Sequence, residues 1–390
     1  MLRRQFLAVG ASAVVAAAQQ KKDEVIATAT QDTTPRVGIV LSSFIEGAEH
    51  DGSKLKGLSD PRPPSADLTT AQVDALARKT IELAATRTGD FASTVEPEDW
   101  VVIKTHIPSC YGLTPETKDG GVHLAYVPGS VTDPRMVRAM ISYLAEQKRG
   151  LRFTIVEGSD QWLPVERSKS ATDGWTTDWG GAFGGISYRK MVDELSGLYP
   201  KVRIEIVDLN FAESLDLPVP GRAQARNNPG GAYSIPKVIQ QCDKLISIAP
   251  LQTDPASGVS LSIGNYLGIA PGAKYGFPKS ALLKLGSVDE IMIDLFAYHP
   301  ADFALLGGCF GIEGDGTSVH HNLMIAGTKP VSVDAVAATL MGFKPADLPF
   351  LVLGEKEGYS TCDVDVVWTR GNQLDEARRE FRKPSARRKA

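Results

Sequence analysis

The stretch TDPRMVRAMISYLAEQKRGLRFTIVE, residues 132–157, decides the fold class of this chain. Residues 132–134 (Thr-Asp-Pro) start a helix, because Thr can cap first-turn amides, Asp favours the helix dipole and proline is tolerated in the first turn. Apolar residues then recur at helical spacing to Leu144, and the apolar run at residues 152–157 predicts a strand. Another continuous apolar run lies upstream at Trp100–Lys104. Strand, helix and strand in this order predict a βαβ unit and hence a parallel sheet.

The same pattern extends on both sides of this unit. Further apolar runs predict strands at residues 37–41, 202–208, 244–249, 303–306, 323–326 and 364–369. Helical periodicity predicts helices at residues 69–87, 188–195, 288–296 and 331–341. The sequence therefore predicts an α/β fold with a mostly parallel sheet flanked by helices. We expect one large domain, which could consist of two close-packed lobes.

Composition bounds the class of protein. The 390 residues are 43% hydrophobic and 23% charged, which is ordinary globular composition and excludes a disordered or collagen-like chain. The net charge of −4 gives no support for a nucleic-acid partner, whose binding surface is basic. The four cysteines lie far apart, so neither an iron–sulfur cluster nor a disulfide framework is expected. Buried free thiols are favoured, although three disulfide pairings stay open.

The first residues are typical of an export signal. Arg3 and Arg4 precede Phe-Leu and an alanine-rich apolar run, which resembles a twin-arginine signal, and small residues up to Ala18 suit cleavage there. A general secretory signal and an uncleaved anchor are the alternatives. The apolar run is short for a bilayer, so no stable membrane span is expected after cleavage. The sequence thus predicts a partner in the twin-arginine export machinery and a periplasmic or extracellular location.

These features divide the chain into four segments. Residues 1–18 are the predicted signal, residues 19–35 a polar linker, residues 36–375 the α/β domain and residues 376–390 a tail. The tail carries seven Lys or Arg against two Glu, which predicts a solvent-exposed basic end.

Three groups of short motifs follow one another in the domain. They are WVVIK, VTDPRMVR and VEG (residues 100–104, 131–138 and 156–158), KLISIAPL and IGNYLGIAP (residues 244–251 and 263–271), and GIEGDG and IAGTKPVSVDAV (residues 311–316 and 325–336). In order and spacing, over roughly residues 95–360, they resemble the domain of unknown function 362 family. That resemblance implies an α/β fold but no settled reaction.

The chain departs from the family pattern at polar positions. Residues 252–254 are Gln-Thr-Asp where the family has Lys-Thr-His, and residues 264–265 are Gly-Asn where it has Lys-Asn. Residues 316–317 are Gly-Thr in place of Gly-Pro, and the ferredoxin-like cysteine cluster of many relatives is missing from the sequence. An electron-transfer role therefore does not carry over from the family.

The acidic glycine-rich motif at residues 313–316 is a candidate metal site. In an extended chain Glu313 and Asp315 project from the same face, and His320 follows within one loop length. Carboxylates with imidazole suit a divalent ion, while Gly314 and Gly316 would allow the close approach of a cofactor. The alternative is a turn with exposed acids.

A second candidate site lies where two predicted strands end. Lys104 and His106 follow the first strand, and Glu157 ends the strand after the helix. Ligands of open α/β sheets bind outside the carboxyl ends of strands, so these are the candidate catalytic residues. Asn265, from the second family block, is a candidate cofactor-binding residue. A Lys–Glu ion pair on the rim of the sheet is an equally good interpretation.

The predicted function follows from these sites. We expect a polar cleft that binds an unknown small-molecule ligand, in an enzyme that depends on a divalent metal or another cofactor. The alternative is a non-catalytic binding protein for a metal or a small anionic ligand. The identity of any cofactor is not encoded in a recognisable motif.

Overall fold

The computed structural model describes residues 34–48, 53–86, 89–108, 115–118, 121–124, 127–160, 183–220 and 231–385. The predicted signal and nearly all of the predicted linker lie outside these residues. Pro35–Ala390 form one compact unit. None of the described helices is long and apolar enough to cross a membrane.

Sixteen strands are present in the described part of the chain. They are β1 (Arg36–Leu41), β2 (Glu46–Ala48), β3 (Lys54–Lys56), β4 (Trp100–Lys104), β5 (Pro115–Lys118), β6 (Gly121–Leu124), β7 (Arg152–Glu157), β8 (Arg203–Asp208), β9 (Ser214–Pro218), β10 (Ala232–Pro236), β11 (Lys244–Ala249), β12 (Gln252–Asp254), β13 (Gly258–Ser260), β14 (Phe303–Glu313), β15 (Thr317–Gly327) and β16 (Trp368–Gly371). The main sheet runs in the order β16-β1-β15-β14-β11-β4-β7-β8, and β12 and β13 extend it from β14.

The direction of the strands confirms the predicted fold class. Strands β14, β11, β4, β7 and β8 pair in parallel, as do β16 and β1. Only β15 runs antiparallel to its neighbours β1 and β14 in this order. The result is a mixed, mostly parallel sheet in one domain.

Nine α-helices accompany the strands in the described residues. They are α1 (Thr70–Leu83), α2 (Pro134–Glu146), α3 (Tyr188–Leu198), α4 (Lys237–Gln241), α5 (Gly272–Tyr275), α6 (Val288–Phe296), α7 (Pro330–Leu340), α8 (Pro349–Lys356) and α9 (Leu374–Ala377). The predicted start of α2 is confirmed, but its N-cap is Asp133, which accepts a hydrogen bond from the Arg135 amide, whereas the Thr132 hydroxyl donates to the Ile248 carbonyl.

The core consists of two apolar layers, one on each face of the sheet. Val40 packs in the layer with α1, α2 and α3, whereas its neighbour Ile39 packs in the layer with α6, α7 and α8. Successive strand residues point to opposite faces, so continuous apolar runs such as β11 are buried on both sides. This three-layer arrangement leaves the ends of the parallel strands as the places where polar groups can gather.

The hairpin formed by β14 and β15 is longer than predicted. Instead of two short strands, each strand has eleven residues, and their register shifts between Gly308 and Phe310. Gly307 and Gly308 have φ values of 101° and 125°, a backbone region open to glycine. Glycines that resemble strand breakers in the sequence therefore form an irregularity inside one long strand.

The late strand and the tail also differ from the predictions. Val364–Val366 form a 3₁₀ turn, and the strand begins only at Trp368. Most described side chains of the tail are exposed, as predicted, but Phe381 is buried, and the segment up to Ser385 is hydrogen-bonded to the β14–β15 hairpin. The aromatic side chain inside the basic segment accounts for this difference.

Candidate functional site

The carboxyl ends of four parallel strands lie side by side at one edge of the sheet. Lys104 ends β4 and is in register with Val156 of β7 and with Ser247 of β11. Glu157 ends β7 and is in register with Asp208, the last residue of β8. The strand pairing thus brings Lys104 and Glu157 together, although they are 53 residues apart in the sequence.

The Lys104 side chain is buried and fully hydrogen-bonded. It is 1% exposed, and its ammonium donates to Glu157 Oε1 at 2.8 Å, Asn265 Oδ1 at 2.9 Å and the Thr105 carbonyl at 2.6 Å. An ammonium has three hydrogens, so each has an acceptor. Burial lowers the pKa of Lys104 from its usual value, and the charge of Glu157 opposes that change.

Glu157 is saturated in the same way. Its Oε2 accepts from the Ile107 amide at 2.6 Å, and its Oε1 accepts from the Gly158 amide at 2.8 Å as well as from Lys104. Two backbone amides and one ammonium are the partners that an ionised carboxylate needs when it is removed from water. The pair therefore resembles a fixed structural element more than a free nucleophile.

Asn265 joins this pair from a short 3₁₀ helix at Gly264–Ile269. Its side-chain amide donates to the Lys104 carbonyl at 3.0 Å and to Ser247 Oγ at 3.1 Å. The turn before it is held by Asp334 of α7, which accepts from the Ile263 amide at 3.0 Å. Burial raises the pKa of Asp334 to about 7.

Lys279 is a second buried lysine at this edge. It is 4% exposed and donates to the Gly158 carbonyl at 2.5 Å and to the Leu267 carbonyl at 3.3 Å, and Asp160 Oδ1 lies 3.5 Å away. Sequence reasoning missed Lys279, because a single lysine in a loop has no periodicity or motif that marks it. We refer to Lys104, Glu157, Asn265 and Lys279 as the edge cluster.

Asp208 was also missed, although it ends a predicted strand. Its Oδ1 accepts from the Asn210 amide at 2.9 Å, whereas its buried Oδ2 has no hydrogen-bond partner in the described part of the chain. Burial raises the pKa of Asp208 to about 6, Glu157 adds to that rise and Lys279 opposes it. The end of a strand next to Glu157 was the signal that could have identified it.

His106 lies beside the edge cluster and is half-buried. Its backbone amide donates to Thr132 Oγ1 at 2.8 Å, and its Nε2 lies 3.0 Å from Gln252 Oε1. Burial and the charge of Lys104 lower the pKa of His106 to about 4, so the ring is neutral at physiological pH. The edge thus combines fixed charges with one neutral imidazole.

The acidic motif of the β14–β15 hairpin makes different contacts. Glu313 accepts from the Arg382 guanidinium at 2.7 Å and from the Arg382 amide at 3.0 Å. Asp315 accepts from the Ser385 amide at 3.1 Å and from Ser385 Oγ at 2.9 Å. Both carboxylates therefore bind the chain's own C-terminal segment.

The other residues predicted at this motif are not gathered around a ligand site. The Gly314 amide donates to the Arg382 carbonyl at 2.8 Å, and Gly316 lies in the turn with a φ of 118°. The His320 ring stacks on Phe310 at 4.2 Å between centroids. No group of three or more His, Cys, Asp and Glu in the described residues has a metal-binding arrangement. The metal centre stays a prediction without a matching geometry there.

The structure thus brings together Lys104, His106, Glu157 and Asn265 but not Glu313, Asp315 and His320. In the edge cluster the hydrogen-bonding groups are occupied by protein atoms. Asp208 has capacity for a ligand through an oxygen without a hydrogen-bond partner among the described residues, and His106 adds a neutral imidazole whose Nε2 contacts Gln252. A titrating carboxyl group and a neutral histidine are suited to proton transfer or to the binding of a hydrogen-bond donor.

One family model and two solved structures match parts of this chain. The family described as a domain of unknown function (DUF362) matches residues 101–339. The chain is similar to the lactate racemase apoprotein from Thermoanaerobacterium thermosaccharolyticum, with 13% identity and a TM-score of 0.36 over 76% of this chain and 62% of that one. It is also similar to a Thermotoga maritima protein from structural genomics, with 11% identity and a TM-score of 0.32 over 66% of this chain and 55% of that one.

The chain spans less than two thirds of the length of either solved protein. No curated protein matches it.

Proposed function

The chain belongs to the domain of unknown function 362 family, and we propose that it is an exported α/β enzyme that binds one small polar ligand at the carboxyl ends of β4, β7, β8 and β11. The observation that carries this proposal is the burial of Lys104, Glu157 and Lys279 together at that edge. Carboxyl ends of parallel strands are the usual ligand-binding edge of open α/β sheets.

The energetics of burial support a functional role. Replacing a buried ion pair by apolar side chains of similar volume is often neutral or stabilising, so such a pair is weak evidence for stability alone. The edge cluster instead fixes the loops that follow β4 and β7 and the 3₁₀ helix at Gly264–Ile269, since its hydrogen bonds reach the backbone at residues 104, 105, 107, 158 and 267. We infer that it forms the rigid floor of the site.

His106 and Asp208 are the side chains that we assign to the ligand. His106 is half-buried and held by Gln252 in a fixed orientation. Asp208, with a pKa of about 6, exchanges a proton near neutral pH. A hydroxyl or amino group on the ligand would donate to its unpartnered oxygen, which would remove the cost of leaving that oxygen unsatisfied.

A non-catalytic binding protein is the second candidate. It is favoured by the saturation of Lys104 and Glu157, because groups that already have all their partners hold a shape and do not transfer protons. In that case Asp208 and His106 would recognise the ligand without turnover. The divalent metal or other cofactor predicted from the sequence belongs to the first candidate.

The test asks which ligand or metal remains bound to the protein after purification from its native host. Native mass spectrometry, elemental analysis and an absorption spectrum are compared for the wild type and for His106→Ala and Asp208→Asn, with Lys274→Met as a control at an exposed ion pair. We expect a stoichiometric ligand in the wild type and control and its loss from the other two variants. A ligand that is retained in both variants would place the site elsewhere.

Turnover of the identified ligand separates the two candidates. If the protein is an enzyme, a chemically altered product should form with the wild type and not with Asp208→Asn. If it is a binding protein, the same ligand should be recovered unchanged after prolonged incubation.

Export is a separate part of the proposal, supported by the arginine pair at residues 3–4 and the apolar run behind it. Changing both arginines to lysine should retain the protein in the cytoplasm, as followed by cell fractionation. Unchanged export of that variant would exclude the twin-arginine route.

A further inference from the structure

The C-terminal segment at residues 378–385, which we call the strap, is bound along its whole length. Its backbone amides at Arg379 and Phe381 donate to the carbonyls of Leu340 and Met341 at 2.9 and 3.0 Å. Arg379 Nη1 donates to the His320 carbonyl at 2.6 Å. The ion pair and hydrogen bonds to Glu313 and Asp315, described above, fix its far end.

The strap covers a buried histidine. His321 of β15 is 3% exposed, and neither of its ring nitrogens has a hydrogen-bond partner in the described residues. The Phe381 ring, itself buried, lies edge-on to the His321 ring at 6.0 Å between centroids. Gly311 provides room, because a Cβ there would lie 3.1 Å from both His321 Nε2 and the Phe381 ring.

We propose that the strap is an acid-sensitive cover: it stays closed while His321 is neutral, and protonation of His321 drives it open. A charged imidazolium is costly to keep in an apolar layer, whereas a neutral ring is not. Opening the strap removes Phe381 and admits water to both ring nitrogens. Protonation of His321 is therefore coupled to the opening of the strap.

The charges around His321 act in the same direction. Burial lowers the pKa of His321 to about 3, the Phe310 backbone opposes that change, and the charges of Arg379 and His320 add to it. Exposed histidine titrates near 6.5, so the open state binds the proton more tightly. Stability of the closed strap is fully present above about pH 6.5 and is lost as the pH falls toward 3.

Glu313 adds a second acid-sensitive contact at lower pH. Burial raises its pKa, but the Arg382 amide and guanidinium outweigh burial and hold that pKa below its usual value. Protonation of Glu313 weakens its bond to Arg382 and also favours opening. Because it titrates lower than an exposed histidine, the two contributions can be separated by pH and by substitution.

Hydrogen bonds connect the hairpin tip, which the strap holds, to the candidate site. Thr253 Oγ1 donates to the Gly314 carbonyl at 3.0 Å, and the adjacent residue Gln252 holds His106. The hairpin tip that the strap fixes is therefore one residue from the partner of His106. This consequence for the ligand rests on the proposed function, whereas opening of the strap does not.

Hydrogen exchange on the full chain tests the opening. After correction for the intrinsic rate, the Phe381 and Gly314 amides should lose about 25-fold in protection between pH 7 and pH 5, the change calculated from pKa values of 6.5 and 3. His321→Leu, which keeps an apolar side chain, should remove that dependence. His320→Leu is the matched control and should retain it.

Two outcomes would overturn the proposal. One is wild-type protection that is constant from pH 7 to pH 5, and the other is an unchanged dependence in His321→Leu. If His321→Leu does not fold, Phe381→Ala replaces it and should expose His321 so that its ring titrates near 6.5 by proton NMR. A His321 ring that still titrates near 3 in this variant also excludes the strap as its cover. Loss of the dependence in Glu313→Gln instead of His321→Leu would assign it to the carboxylate.

Discussion

The edge cluster and the hairpin tip contain the same kinds of side chain in opposite settings. At the edge, Lys104 and Glu157 are almost inaccessible to water and bind each other at 2.8 Å. At the tip, Glu313 is 17% exposed and is paired with Arg382, whose side chain is 63% exposed. The difference shows that an acidic motif alone does not identify a site. The fold must also bury the carboxylates, so that protein groups or a ligand replace water as their partners.

Distance along the chain explains why the two regions differ. The edge residues come from separate strands whose parallel pairing gives each of them one position. The tip residues belong to one turn and are reached by a segment that lies 69 residues later. The first arrangement is rigid because many elements share it, and the second depends on one segment.

The largest effect is expected from Lys104→Met. Removal of the ammonium leaves Glu157 buried without its counter-ion, which typically costs about 3–5 kcal/mol of unfolding free energy. Urea unfolding measures the loss. The double variant Lys104→Met/Glu157→Met should recover most of it, while Lys274→Met at an exposed pair should change stability by less than about 1 kcal/mol. If Lys104→Met were as stable as Lys274→Met, the Lys104–Glu157 pair would contribute no more to the unfolding free energy than an exposed ion pair.

Asp334, which holds the turn before Asn265, predicts that the unfolding free energy depends on pH. Burial raises the pKa of Asp334 to about 7, so the folded state binds a proton that the unfolded carboxyl releases near pH 4. Stability should therefore fall as the pH rises from about 4 to 7, by no more than about 4 kcal/mol from this group. Asp334→Asn should flatten that slope in urea unfolding at several pH values. A slope that persists in the variant would assign it to other groups.

Gly268 tests how closely the edge cluster is packed. A Cβ at this position would lie 2.4 Å from Glu157 Oε1 and 2.5 Å from Lys104 Nζ. Gly268→Ala should lower the unfolding free energy by about 1–3 kcal/mol, the usual cost of overpacking. Gly197→Ala is the control, because a Cβ there meets no atom within 4 Å. Equal stability of the two variants would show that the cluster can move aside.

The smallest effect is expected at the hairpin tip. Glu313→Ala with Asp315→Ala should cost only about 0.2–1 kcal/mol per exposed pair. Because Arg382 and Ser385 lose their partners, trypsin should cleave the strap faster while the melting temperature changes little. If a stoichiometric metal disappeared from this variant, the tip would be a metal centre, and the contrast with the edge cluster would fail.

Parts of the candidate site could be predicted because they are properties of strand ends. Lys104 and Glu157 each end an apolar run, and parallel pairing brings such ends to one edge. Asn265 belongs to a family motif, but the hydrogen bond that Lys104 Nζ donates to Asn265 Oδ1 cannot be predicted from spacing, since 161 residues separate the two. Lys279 has no local signal at all, because its partners are carbonyl groups supplied by other loops.

Three features could be predicted from the amino-acid sequence: the βαβ unit, the apolar runs that form buried strands, and the start of α2. These are local properties: side-chain periodicity and capping depend on neighbours a few residues away. Long-range packing sets three further features: Glu313 binds Arg382, Phe381 covers His321, and one Asp208 oxygen has no partner among the described residues. Burial and the choice of partner depend on segments far apart in the chain, and these set the charge and pKa of each group.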